Sequence, residues 1–165
     1  MPRRKLPGSF FARMEVYRTV ARKNRRRKAE YKDRLGFNPY KYITPQRGDI
    51  WFVNLGEHPG TSVQSGYRPA LVLSNNTGNA ASTTVTVLPM TTRMKKFNLP
   101  FHVELTTEDL SDTKDDWSFE TSMILAEQIT TVSKSAFGRY VGRITDDEKM
   151  AEIERGVCFL LAFGR

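Results

Sequence analysis

After residue 48, apolar and polar positions alternate in short runs. At the two ends of the chain the apolar spacing changes to three and four. Near the start, Phe10, Met14, Tyr17 and Ala21 fall at i, i+4, i+7 and i+11. That stripe continues weakly through Asn24 and Lys28 to Tyr31 and Leu35. The spacing predicts a helix over 10–35, with Ser9 as its cap and Gly36 near its stop. Asn38 to Gln46 holds two prolines and reads as a linker. Near the other end, Thr145-Asp146-Asp147-Glu148 reads as a capping box, with Thr145 at the cap and Glu148 at N3. Met150, Ile153, Val157, Leu160 and Leu161 then form a helical face, and Gly156 in that face allows close packing.

Between the helices the period is two, which is the strand signal. Strands are expected at 49–55, 69–75, 83–90, 101–105, 122–128 with an extension through Val132, and 139–144. Residues 56–66 form a loop long enough to act as a lid. A Gly/Asn-rich turn follows the second strand, an acidic loop spans 106–117, and one helical turn is expected over 133–137. Short strands with one terminal helix give an α+β fold that is mainly β. The expected form is a small, strongly curved antiparallel sheet or partly open barrel with helices against it.

Charge divides the chain. Residues 1–47 carry 15 Lys/Arg against 3 Asp/Glu, whereas residues 48–165 carry 11 against 15. The basicity therefore belongs to an extension over 1–46, and the domain over 47–165 is mildly acidic. A Lys/Arg-rich helix suits the phosphates of RNA, or it is simply a solvated face or tail. One cysteine, Cys158, excludes an intrachain disulfide, and His58 and His102 with that cysteine cannot build a structural zinc site. No metal and no cofactor is expected. The longest apolar run, 157–163, is too short to span a bilayer, and the basic start lacks the apolar stretch of a secretory signal. The expectation is a cytoplasmic protein with no membrane partner.

One stretch stands out chemically. Gln64-Ser65-Gly66-Tyr67-Arg68-Pro69 runs into the apolar segment Ala70-Leu71-Val72-Leu73. Pro69 fixes the backbone beside Arg68 and biases Arg68 toward an extended conformation. The arginine is then either a preorganised cation for an anion, or an ordinary surface arginine beside a strand start. Trp51 is expected in the core. Trp117 has no assigned role.

Five ordered blocks resemble the MazF/PemK family of toxin endoribonucleases. They are Arg47-Gly48-Asp49-Ile50-Trp51, the Q-x-G-x-R-P block at 64–69, and Pro89-Met90-Thr91-Thr92. Leu99-Pro100-Phe101-His102-Val103 and Ser122-Met123-Ile124-Leu125-Ala126-Glu127-Gln128-Ile129 complete the set. The resemblance covers about residues 47–163, and the extension 1–46 has no counterpart in the short family members. It implies an SH3-like partly open barrel of the CcdB/PemK kind. It also implies metal-independent cleavage of single-stranded RNA, often mRNA, at short sequence motifs, with Arg68 and Thr91 catalytic. A slip of one residue would exchange Thr91 and Thr92. Glu127 is a supporting candidate. It either takes the 2′-OH proton or pairs with Arg68 or a backbone amide. His102 is read as structural. A histidine used in one branch of the family falls at Ser62, so His58 does not replace it. Ser62, Gln64, Ser65, Tyr67, Arg93 and Gln128 are expected to contact RNA.

RNA carries its own nucleophile, the 2′-OH, so an enzyme that orients it and stabilises the phosphorane needs no metal. The expected ends are a 2′,3′-cyclic phosphate and a 5′-hydroxyl. The resemblance further implies a homodimer with the RNA groove at its interface, and an acidic cognate antitoxin that occupies this groove. DNA is met only indirectly, through that antitoxin. Two other readings share the pattern. One is a CcdB-like gyrase poison, whose aromatic-Gly-Ile ending differs from the Ala162-Phe163-Gly164-Arg165 present here. The other is a non-cleaving RNA-binding module that works through its basic helix.

Overall fold

The computed structural model describes residues 43–93, 99–113 and 121–163. The expected helix at 10–35, Trp117 and the segment 94–98 lie outside them. The strands are β1 (Asp49–Asn54), β2 (Tyr67–Val72), β3 (Thr84–Thr91), β4 (His102–Leu105), β5 (Leu110–Ser111), β6 (Ser122–Leu125), β7 (Thr130–Ser133) and β8 (Phe137–Ile144). The helices are α1 (Asn76–Ala81) and α2 (Asp147–Leu160). All pairings are antiparallel, in the order β4-β6-β3-β2-β1-β8-β5, with β7 beside the first half of β3.

The sheet curls until both of its faces are covered. On one face Ile50, Leu71, Leu88, Met90, Val103, Ile124 and Val141 pack under Ile153 and Val157 of α2. On the other, Val53, Ala70, Val72, Val85 and Val87 are closed over by Trp51, Val132, Ala136 and Phe137. Two register shifts between β1 and β8 sharpen the bend. The outcome is the expected mainly-β, partly open barrel with a C-terminal helix. Among the described residues no helix is long and apolar enough to cross a membrane.

Several boundaries differ from the sequence reading, each for a physical reason. The second strand starts at Tyr67, not Pro69, because Gly66 at φ +76° turns the chain and Tyr67 pairs at once with Asn54. Pro69 is tolerated inside this strand because β3 joins β2 only from Ala70 onward. The Gly/Asn turn is a short helix, α1, capped by the Asn75 side chain accepting from the Gly78 N–H at 2.8 Å.

The expected long strand at 122–132 is two strands with a 3-10 turn at Ala126–Gln128 between them. Both halves pair with β3, but Val87 faces Thr130 while Met90 faces Ile124. The break falls at Leu88–Pro89, where the proline has no N–H to donate. The acidic loop contains a capped 3-10 turn and β5. The last helix is capped by Asp146, not Thr145. Its carboxylate accepts from the Glu148 N–H at 2.8 Å. Gly156 does allow close packing, since a Cβ there would lie 3.1 Å from the Pro100 carbonyl oxygen. Leu161 leaves the apolar face and is exposed, and Trp51 is only half-buried.

Candidate active site

β2 begins and β3 ends at the same mouth of the barrel. β2 pairs with β3 through Ala70↔Pro89, Leu71↔Leu88 and Val72↔Val87. Continued by two residues, that register sets Arg68 opposite Thr91. There the strands part: β2 stays paired with β1, Arg68 facing Val53, and β3 crosses to β6, Thr91 facing Met123. Arg68 and Thr91 thus lie on one face of the sheet where the two strands part.

Arg68 is half-buried, and its Nε donates to the Ser65 carbonyl oxygen at 2.7 Å. Among the described residues it forms no ion pair. The guanidinium is thus anchored through one nitrogen by a neutral group, and its two terminal nitrogens are left to hold an anion in a fork. Thr91 is buried, 6% exposed, and its Oγ1 accepts from the Arg93 N–H at 3.2 Å. That bond orients the hydroxyl oxygen and leaves its proton to donate. Thr92 and Arg93 are exposed on the bend that follows. The structure therefore distinguishes the two threonines by burial: Thr91 lines the fork and Thr92 faces solvent.

The loop at 56–66 is closed at its base by Leu55 N–H to Gly66 O at 2.9 Å and Gly66 N–H to Gly56 O at 2.7 Å. Gln128 ties its far side. Its Oε1 accepts from the Gln64 N–H at 3.3 Å, and its Nε2 donates to the Ser62 carbonyl at 3.4 Å. The loop is thus fastened to the 3-10 turn after β6, and this turn in turn sets the ground on which Ser65 holds Arg68.

Glu127 lies on that turn rather than at a strand end, and it does not pair with Arg68. Its Oε1 is 3.1 Å from His102 Nε2, whose side chain is 4% exposed. Its Oε2 is buried and has no hydrogen-bond partner among the described residues. A base must reach the proton it takes, and an oxygen sealed from solvent beside His102 is poorly placed for this. His102 holds β4 to the turn, in keeping with its structural reading. His58 is exposed in the loop, with its ring nitrogen 3.2 Å from the Leu55 carbonyl.

Tyr67 is exposed and borders a cleft walled also by Asn54, Ser135, Phe137 and Gly138. The β8 side of this cleft was missed by sequence reasoning. Gly138 falls between the expected turn at 133–137 and the expected strand at 139–144, and only the start of β8 at Phe137 puts it inside a strand, where a glycine marks a close approach.

The mainly-β half-barrel with a C-terminal helix is a fold that this chain shares with small toxin domains. The family model for the PemK-like, MazF-like toxin of type II toxin-antitoxin system matches residues 46–161, and the chain belongs to this family. It is 37% identical over 119 residues to Endoribonuclease EndoA of Bacillus subtilis (strain 168), a span covering 71% of this chain and 94% of that protein. MazF from Deinococcus radiodurans has the same fold, with a TM-score of 0.59 at 24% identity, over 73% of this chain and 98% of that one. A mycobacterial endoribonuclease in complex with its cognate antitoxin is similar at a TM-score of 0.57 and 25% identity, over 73% and 98%.

Proposed function

We propose that this toxin is an endoribonuclease that cleaves single-stranded RNA, mRNA included, without metal. The observation that carries this reading is Arg68, held by Ser65 in register with Thr91 at the fork and carrying no acid partner among the described residues. The terminal guanidinium nitrogens bind the phosphate that will be cut and hold its equatorial oxygens as charge builds there. Thr91 donates one further hydrogen bond. The 2′-OH attacks the adjacent phosphorus, the bond to the 5′-oxygen breaks, and the ends are a 2′,3′-cyclic phosphate and a 5′-hydroxyl. Arg68 acts electrostatically, because a guanidinium holds its proton at neutrality and is a poor base.

Around this centre Ser62, Gln64, Ser65, Tyr67, Arg93 and Gln128 contact the strand, as single-stranded RNA is read by stacking and by base edges. Thr92 and Glu127 support the site. The membership in a toxin-antitoxin family and the antitoxin-bound mycobacterial relative support an antitoxin as partner. An acidic antitoxin segment competes with RNA for Arg68, and the toxin works as a homodimer in the cytoplasm. The basic extension over 1–46 adds phosphate contacts to the domain over 47–165.

The purified protein should cut a pool of RNA oligonucleotides in the presence of a chelator, leaving cyclic phosphate ends. Arg68→Ala should abolish the cutting. Full activity in that variant removes Arg68 from the mechanism. Loss of activity in chelator, restored by a divalent ion, removes the metal-free step.

A further inference from the structure

Tyr67 is 55% exposed, yet its ring is held on two sides. One face stacks on Phe52, with centroids 5.2 Å apart and planes 25° apart. The hydroxyl accepts from the Arg139 backbone N–H at 3.0 Å. Gly138 permits this placement, since a Cβ there would collide with the Tyr67 hydroxyl oxygen. An exposed aromatic with no such contacts samples its rotamers, and ordering it on binding costs affinity. This ring is ordered in advance.

The tyrosine forms one wall of a solvent-open cleft of about 520 Å³. That volume falls within the range of small-molecule sites, roughly 300–1,000 Å³. Asn54 forms another wall. Its Oδ1 accepts from the Gly56 N–H at 3.0 Å. A backbone N–H can only donate, so this bond fixes which end of the amide is engaged. The Nδ2 end is left to donate elsewhere.

We propose that this cleft is a seat for one unpaired nucleobase, with Tyr67 as its stacking platform and Asn54 Nδ2 as a donor to an acceptor on the base edge. The inference rests on the ribonuclease reading above and adds a subsite to it. Tyr67 and Arg68 are consecutive, so their side chains leave opposite faces of β2. The cleft, whose walls include neither Arg68 nor Thr91, is therefore a subsite separate from the fork and reached by the same RNA strand. Every base presents an acceptor on its edge, a carbonyl oxygen in uracil, cytosine and guanine and a ring nitrogen in adenine, so this one donor adds affinity without choosing the base.

The test uses the full chain and an RNA pool randomised on both sides of a cut site, with 5′-end sequencing and steady-state kinetics. Tyr67→Leu should lower kcat/KM by roughly tenfold or more, mainly through KM, as expected for a lost base stack. Tyr67→Phe keeps the ring and should retain most of that factor. Asn54→Ala should raise KM by a smaller factor, on the order of a few-fold, as expected for one lost hydrogen bond. Tyr67→Leu protein that unfolds at the wild-type midpoint, with wild-type KM and an unchanged cut profile, overturns the seat and leaves the ribonuclease reading standing. If the wild-type chain cuts no RNA, that reading fails on its own. The seat is then judged by binding of an all-2′-deoxy oligonucleotide, followed by fluorescence anisotropy. Weaker binding by Tyr67→Leu supports the seat, and equal binding or none overturns it.

Discussion

Arg143 and Arg68 stand at opposite ends of the β1–β2 ladder and are held by opposite means. Asp49, at the start of β1, is 3% exposed. Its carboxylate accepts from Arg143 Nε at 2.7 Å, from the Gln46 N–H at 2.7 Å and from Trp51 Nε1 at 3.3 Å. Arg47 beside it donates to the Leu73 carbonyl and to Glu154. Every arginine at this end is matched by a carboxylate. At the other end Arg68 is matched, among the described residues, by a neutral carbonyl alone. A cation neutralised by a buried acid contributes to the fold. A cation fixed by a neutral oxygen keeps its charge for an incoming anion. The contrast separates structural from functional arginines better than exposure does, since all three are neither fully buried nor fully exposed.

The largest effect should come from breaking the structural end. Asp49→Ala strands Arg143, the Gln46 N–H and the Trp51 indole together. Removing one partner of a buried pair costs about 3–5 kcal/mol. The low end of that range, about 3 kcal/mol, applies here because the Arg143 side chain stays 38% exposed. Denaturant unfolding of the variant measures the loss. A loss below about 1 kcal/mol accompanied by abolished cleavage would instead place Asp49 in the chemistry and erase the contrast.

A smaller effect on the molecule, confined to function, should follow at the other end. Arg68→Lys keeps the charge but replaces a planar fork with a point donor. One ammonium cannot both hold the Ser65 carbonyl in the same geometry and grip two phosphate oxygens. Cleavage should fall by about a hundredfold, the lower range for losing one transition-state donor. Stability should move by no more than about 0.5 kcal/mol. Near-wild-type kcat in this variant would show that charge alone is used, and a large drop in the unfolding midpoint would make Arg68 another structural arginine.

The two ends differ also in how far they could be read from sequence. The Arg47–Trp51 block, the alternating run before Thr91 and the face of α2 are local patterns, and they gave the right elements. Arg68 was visible because Gly66 and Pro69 bracket it. The fork was not visible. It depends on β3 changing partners at Pro89, and the partner segment lies more than thirty residues away. The same long-range cause split the run at 122–132 and moved Glu127 from a strand end onto a turn facing His102. Thr145 and Asp146 are both good caps in sequence, and only the bond to the Glu148 N–H selects Asp146. Local chemistry names residues well. Which of them face each other is fixed by pairing.

The smallest effect offers the finest probe of the structural end. Tyr140 packs edge-on to Trp51 with centroids 5.0 Å apart, and its hydroxyl donates to Asp112 at 3.2 Å. Burial, then the charges of Asp49 and Asp112, push its pKa from 10.0 up to about 12. All three causes disfavour the phenolate in the folded state. The unfolded chain therefore loses this proton first as pH rises. The contribution of Tyr140 to stability is complete below pH 10 and is lost progressively between pH 10 and about 12. Comparing unfolding midpoints of wild type and Tyr140→Phe across that window isolates the slope, because phenylalanine keeps the ring and has nothing to ionise. The wild-type midpoint should fall more steeply than that of the variant. Asp49→Asn should shrink the difference, since it removes one of the charges that holds the phenol neutral. Parallel curves for wild type and Tyr140→Phe would mean that the charges around Asp49 end at its own ion pair. The structural end would then be a single salt bridge and not the coupled cluster that the contrast with Arg68 requires.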